Sequence, residues 1–126
     1  MTEQLDLPQG KNIVAVALDD KMVYGLCVLS HSLARTKTEP LFLLVGYFEG
    51  RLSPSNREFI ESYLQWLAIP HLIQVLQPDE LFTERRHLTI TTFSKFVISD
   101  LYPGAHLWLD LDTVVKSGWD KVFPVI

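Results

Sequence analysis

Four short apolar runs, each bounded by polar or turn-forming residues, constrain this chain more than any other feature. The first is Ile13-Val14-Ala15-Val16-Ala17-Leu18, which is apolar on both of its alternating faces and ends at Asp19-Asp20. A run of that length without alternation is the pattern of a strand buried on both sides. Leu41 to Val45, Leu72 to Leu76 and His106 to Leu109 supply three more. Between them the period changes to that of a helix. Met22, Leu26, Leu29 and Leu33 predict a helix over Lys21 to Arg35, broken by the residues leading to Pro40. Ser53-Pro54 pairs an N-cap with a first-turn proline, and Phe59, Ile60, Tyr63, Leu64 and Leu67 form the stripe that follows, stopped by Pro70. Gln77 to Leu88 reads as a polar loop with a short helical turn. A third helix starts at Thr91 or Thr92, carries Phe93, Phe96, Val97 and Leu101, and ends at Tyr102-Pro103-Gly104. Thr113 to Val115 can continue extended, and Gly118 to Phe123 predicts one last turn. Strands and helices alternating in this way predict a three-layer α/β domain with a mostly parallel sheet.

The chain has 126 residues, enough for one domain that buries roughly two thirds of its unfolded surface. Its 15 acidic and 11 basic residues give a net charge of −4, so no basic field is present to hold a nucleic acid. A single cysteine, Cys27, excludes a disulfide within the chain and points to a reducing, cytoplasmic setting. Residues 1–11 read as a flexible N-terminus without a basic segment leading into an apolar one. The longest greasy stretch, Leu41 to Phe48, is interrupted by Gly46 and falls far short of the roughly 18–20 residues of a spanning helix.

In open parallel sheets ligands bind beyond the carboxyl ends of the strands. That rule selects Asp19-Asp20 after the first run and Asp110-Leu111-Asp112 after the fourth. In extended chain Asp110 and Asp112 point the same way, about 6.7 Å apart. Two carboxylates so placed can share a hard cation, and Mg²⁺ or Mn²⁺ would also bridge to substrate phosphates. The competing reading is an ordinary strand exit, where turn chemistry favours aspartate. Asp19-Asp20 has its own plain role, since acids complement the dipole of a following helix. The second acid of that pair is then free to accept a hydrogen bond from a base or ribose.

Lys95, on the third helix, is either a solvated lysine or a point charge for a phosphate or sugar oxygen. His87 lies in a loop beside Arg85 and Arg86. His31, His71 and His106 read as structural or exposed, and Cys27 as an inert buried thiol. Trp66, Trp108 and Trp119 read as core or partly covered surface. A receiver domain also places acids after its first strand, but its phosphate-accepting aspartate follows the third, and here that position holds Leu76-Gln77. A haloacid-dehalogenase-like phosphatase carries Asp-x-Asp after an apolar strand, but on its first strand and with a threonine two places on, whereas Thr113 follows at once.

A third family fits better. Ile13 to Asp20 followed by Tyr24-Gly25-Leu26-Cys27-Val28, then Arg86-His87-Leu88-Thr89-Ile90-Thr91-Thr92-Phe93-Ser94-Lys95-Phe96, then Leu107-Trp108-Leu109-Asp110-Leu111-Asp112-Thr113-Val114-Val115 occur in one order. In that order and at those separations the sequence resembles glycosyltransferase family 8, the family of glycogenin and of bacterial lipopolysaccharide galactosyl- and glucosyltransferases. The resemblance runs from Asn12 to about Phe123. It implies a GT-A fold, a Rossmann-like nucleotide-binding lobe, with a UDP-hexose as donor and Mn²⁺, or Mg²⁺, as cation. It implies that Asp110 and Asp112 ligate the metal, that Ala17 and Asp19 meet the uracil, that Leu111 meets the ribose, and that Lys95 and His87 lie near the donor sugar or phosphates. Transfer in the family proceeds with retention at the anomeric carbon.

The resemblance also has departures. Lys21 replaces a polar residue that often helps to hold the base. A histidine metal ligand, acceptor-site residues and a lysine that the family carries further along have no counterpart before Ile126. The expectation is therefore a truncated GT-A lobe over residues 1–126 with an unknown sugar, glycan or protein acceptor. It would be either part of a glycosyltransferase or a nucleotide-sugar-binding or protein-interaction module incomplete for catalysis. A truncated sheet would expose an edge or an apolar patch, so self-association is expected as well.

Overall fold

The apolar runs are continuous because both faces of the sheet are covered. The computed structural model describes residues 4–77 and 90–125. Strands β1 (Asn12–Ala17), β2 (Leu41–Phe48), β3 (His71–Leu76) and β4 (Leu107–Trp108) form one all-parallel sheet in the order β3-β2-β1-β4. This is the beginning of the Rossmann order 3-2-1-4, not the 2-1-3-4 order of receiver-like sheets. Helices α1 (Val23–Thr36) and α2 (Pro54–Trp66) cover one face, and α3 (Ile90–Leu101) covers the other. Val14, Val16, Leu43 and Val45 pack with Leu26, Leu29 and Leu33 of α1 and Ile60 and Leu64 of α2. The alternate residues Ile13, Ala15, Phe42 and Leu44 pack with Ile98 and Leu101 of α3. Among the described residues no helix is long and apolar enough to cross a membrane.

Several boundaries differ from the sequence expectation, each for a local reason. Strand β2 runs through Gly46 to Phe48 because it is paired on both sides, Gly46 with Ala17 and Gln74, Tyr47 with Val75 and Phe48 with Leu76. The first helix begins two residues late. Asp19 accepts from the Lys21 N–H (2.9 Å) and caps a 3₁₀ turn over Asp20–Met22, and α1 starts only at Val23. Ser53 caps α2 as expected, its hydroxyl accepting from the Asn56 N–H at 3.3 Å. Leu5 and Leu7 lie in the segment read as a flexible N-terminus. Leu7 is buried among the α3-side residues, and the Leu5 N–H donates to the Leu101 carbonyl. The loop expected at Gln77 to Leu88 lies, beyond Gln77, outside the described residues.

The largest correction concerns β4. Only Leu107 and Trp108 pair, with Val14 and Ala15, and the Leu109 N–H adds one more bond to the Ala15 carbonyl (3.0 Å). The chain then turns, with the Thr113 N–H donating to the Asp110 carbonyl at 3.1 Å. Asp110-Leu111-Asp112 is thus a turn, not extended strand. An edge strand held by one neighbour ends as soon as a turn competes for its backbone groups.

Beyond this turn a 3₁₀ helix, Trp119–Val125, fastens the chain to the opposite end of the sheet. The Trp119 indole N–H donates to Thr36 Oγ1 (2.9 Å), and Asp120 accepts from the Thr38 N–H (2.6 Å) and hydroxyl (2.7 Å). Those donors, the Thr38 N–H first, hold the Asp120 carboxyl below the usual carboxylate range. Its pKa is lower folded than unfolded, so the stability it contributes is present above about pH 4 and fades as pH falls below that. Asp120→Asn is expected to lose about 1 kcal/mol at pH 7, the difference between a charged and a neutral acceptor. Urea unfolding should show the gap narrowing as the pH is taken below about 4; a loss that does not change with pH would contradict this assignment.

Candidate functional site

The strand order itself makes a cleft. The connections from β1 through β3 step outward in one direction, and the connection to β4 returns past β1 to its free side. The chain therefore diverges between the carboxyl ends of β1 and β4, the switch point where open α/β sheets bind ligands. A cleft of about 330 Å³ opens there, lined by Ala17, Asp19, Met22, Trp108, Asp110 and Asp112, with Leu109 and Leu111 beneath. A smaller recess adjoins it, lined by Ala17, Asp19, Met22, Arg51 and Ser94 among others.

Most of the residues singled out in the sequence meet at this place. Ala17 ends β1 and Asp19 follows as the cap of the 3₁₀ turn, with one oxygen on the Lys21 N–H. Asp20, beside it, is occupied elsewhere. Its Oδ1 accepts from the Ser53 N–H and the Asn56 side-chain amide, each at 2.8 Å. These bonds tie the 3₁₀ turn to the start of α2 and hold the Asp20 carboxyl low. Both acids thus have structural roles, Asp19 as the cap of the 3₁₀ turn and Asp20 as the tie to α2, and Asp19 also lines the cleft. Asp110 and Asp112 are exposed on the cleft wall.

Leu111 between them is buried and packs with the α1-side core. Its carbonyl lies against Gly25 of α1 so closely that a β-carbon at residue 25 would sit 2.6 Å from the oxygen. Glycine at that position lets the helix and the aspartate turn touch. Lys95 is exposed on α3 and does not line the cleft, but its Nζ lies 5.7 Å from the centre of the ring of Trp108, which does. His87 lies outside the described residues.

Trp108 is the residue that sequence reasoning missed. It is partly covered, as its sequence suggests, and in addition it lines the cleft and donates its indole N–H to Asp110 Oδ1 at 3.0 Å. The signal was present, since residues two apart at a strand end lie on one face. The other residues weighed in the sequence stay away from the cleft. The His71 ring bonds the Ile69 carbonyl and Glu61, that of His106 bonds the Gly104 carbonyl, and His31 is exposed on α1. Burial pushes the Cys27 thiol up, as an inert thiol requires.

A cleft at the switch point of a parallel sheet places the chain among the open α/β folds, and comparison with solved structures narrows the class to the glycosyltransferase-like fold of GT-A type. The chain superposes on the apo structure of the bifunctional glycosyltransferase WbbM with a TM-score of 0.73 at 17% identity, over 98% of this chain and 22% of that one. It also superposes on the galactosyltransferase LgtC in complex with donor and acceptor sugar analogs (TM-score 0.65, 23% identity, 87% of this chain, 41% of that one). An active-site mutant of LgtC gives a TM-score of 0.66 at 21% identity over the same shares. The chain thus spans about a fifth to two fifths of the length of these proteins. The sequence matches no protein-family model and no curated protein.

Proposed function

We propose that the chain binds a UDP-hexose through a divalent cation, Mn²⁺ or Mg²⁺, held at Asp110 and Asp112, as the donor lobe of a retaining family 8-like hexosyltransferase. The observation that carries this reading is the convergence of Asp19, Asp110 and Asp112 on one cleft at the β1/β4 switch point of a glycosyltransferase-like fold. Three carboxylates around a diphosphate repel it unless a cation stands between them. Asp110 keeps Oδ2 free of the indole bond, and Asp112 is exposed, so both can offer oxygen to a hard ion. No group of three or more candidate metal ligands occurs among the described residues. The donor set therefore suits an ion that takes its remaining ligands from water and phosphate, the habit of Mg²⁺ and Mn²⁺.

The chain's own residues divide the remaining work. Asp19, at the end of β1, accepts from the base, and Ala17 beside it leaves the room that a flat ring needs. The backbone around Leu111 meets the ribose, its position set by the buried leucine side chain. Lys95 supplies a point charge near the phosphates, where negative charge grows as the sugar leaves. When bound, the cation supplies Lewis-acid stabilisation of the departing diphosphate. The acceptor remains a sugar, glycan or protein of unspecified kind.

Calorimetry of UDP against the chain, with Mn²⁺ and then with EDTA, tests this reading. Binding should appear with Mn²⁺ and vanish with EDTA; identical binding in both would contradict it. A panel of UDP-hexoses followed for UDP release then separates two versions of the proposal. Release marks a catalytic lobe, and Mn²⁺-dependent binding without release marks a donor-binding module.

A further inference from the structure

We propose that Trp108 is a positioning residue for this site, setting the Asp110 carboxylate and the Lys95 ammonium through one rigid side chain. The inference rests on the donor-site reading above.

Trp108 ends β4 opposite Ala15, on the α3 face of the sheet. It packs against the core cluster that includes Ile13, Ala15 and Leu101, which fixes the plane of the ring. From that fixed ring the N–H reaches Asp110 Oδ1 at 3.0 Å. An exposed aspartate otherwise samples several rotamers, and a cation must select one of them. The indole makes that selection in advance and leaves Oδ2 for the ion.

The chemistry of the donor matters. Indole N–H donates only and carries no charge, so it orients the carboxylate without neutralising it. A lysine or arginine in its place would orient Asp110 and also compete with the cation for it. Lys95 is kept from doing this. Its ammonium lies 5.7 Å from the Trp108 ring centre, within the reach of a cation–π contact, and no ion pair joins it to Asp110. The lysine is thus parked over an aromatic face beside the site, while Asp110 keeps Oδ2 clear of the indole bond.

Residues that only orient a metal ligand typically contribute about 10–100-fold to metal affinity. Trp108→Phe keeps an aromatic, smaller side chain and removes the indole N–H. Mn²⁺ binding to the full chain in the presence of UDP, read by electron paramagnetic resonance, should weaken by about tenfold or more in that variant. A second arm needs no ligand. In the ¹H–¹⁵N spectrum of the metal-free chain, the Trp108 indole peak is identified by its loss in Trp108→Phe. It should move in Asp110→Ala, while the Trp66 and Trp119 indole peaks stay in place. Asp110 is exposed, so the Asp110→Ala spectrum is read on a folded chain. An unmoved Trp108 peak, or unchanged Mn²⁺ affinity in Trp108→Phe beside normal wild-type binding, would overturn the inference and leave the donor reading intact. A wild-type chain that binds no Mn²⁺ with UDP present would overturn both.

Discussion

Replacing Asp110 and Asp112 together with alanine will abolish Mn²⁺-dependent UDP binding while leaving the fold intact. Both side chains are exposed on the cleft wall, and neither contributes to either core cluster. Among the described residues, the one side-chain bond lost is that between Asp110 and the Trp108 indole. Stability should therefore change by less than about 0.5 kcal/mol, the range of ordinary surface substitutions. Binding should fall by far more. A residue that merely orients a metal ligand is worth about 10–100-fold, so removal of two ligands should exceed about 100-fold. Calorimetry at fixed Mn²⁺ reads the loss directly, and circular dichroism confirms that the sheet and helices remain. Unchanged Mn²⁺-dependent affinity in the double variant would remove the cation from this turn.

Gly25→Ala should act in the direction opposite to the usual one. An alanine inside a helix is ordinarily favoured over glycine by about 1 kcal/mol. In α1 the added β-carbon would lie 2.6 Å from the Leu111 carbonyl oxygen, 3.4 Å from its carbon and 3.5 Å from the Leu111 β-carbon. The obstacle is backbone, so no side-chain rotation relieves it. Either α1 moves off the sheet or the aspartate turn moves off α1. Overpacking of this kind costs about 1–3 kcal/mol, which outweighs the helix gain. Thermal unfolding should show a lower Tm, and calorimetry should show weakened Mn²⁺-dependent UDP binding, because Asp110 and Asp112 flank the displaced residue. A raised Tm with unchanged binding would mean that the close approach is not required.

The β1 to β3 half of the fold was legible because burial on both faces and helical stripes write themselves into local sequence. The Ser53-Pro54 start of α2 was legible for the same reason, since the cap and its N–H partner are three residues apart. What the pattern could not convey was pairing at a distance. Val45 marked the apparent end of β2 because nothing local says that Tyr47 and Phe48 find Val75 and Leu76. The end of α2 hides a further detail: Ala68 adopts a left-handed φ of 58°, and the Ile69 N–H closes onto the Leu64 carbonyl. Nothing in the residues Leu67-Ala68-Ile69 announces that cap, which glycine would usually supply.

The site divides along the same line. That Asp19 and Asp110 lie at carboxyl ends of parallel strands followed from the alternation of elements. That they share one cleft followed only from the order β3-β2-β1-β4. The division of labour between Asp19 and Asp20 depended on Ser53 and Asn56, far along the chain. The extended geometry assumed for Asp110 and Asp112 failed because β4 has one partner and ends at Trp108. The same shortening leaves the Trp108 ring over the cleft.

In the proposed donor complex, a cation carried with the nucleotide sits between the ends of β1 and β4. Mn²⁺ is paramagnetic and broadens the resonances of nuclei close to it, so amide spectra of the chain with UDP can locate it. Addition of substoichiometric Mn²⁺ should erase the peaks of Asp19 and of residues 109–113 first and leave those at the Thr38 and Asp120 end of the sheet untouched. Broadening centred anywhere else, or spread evenly over the surface, would contradict the account.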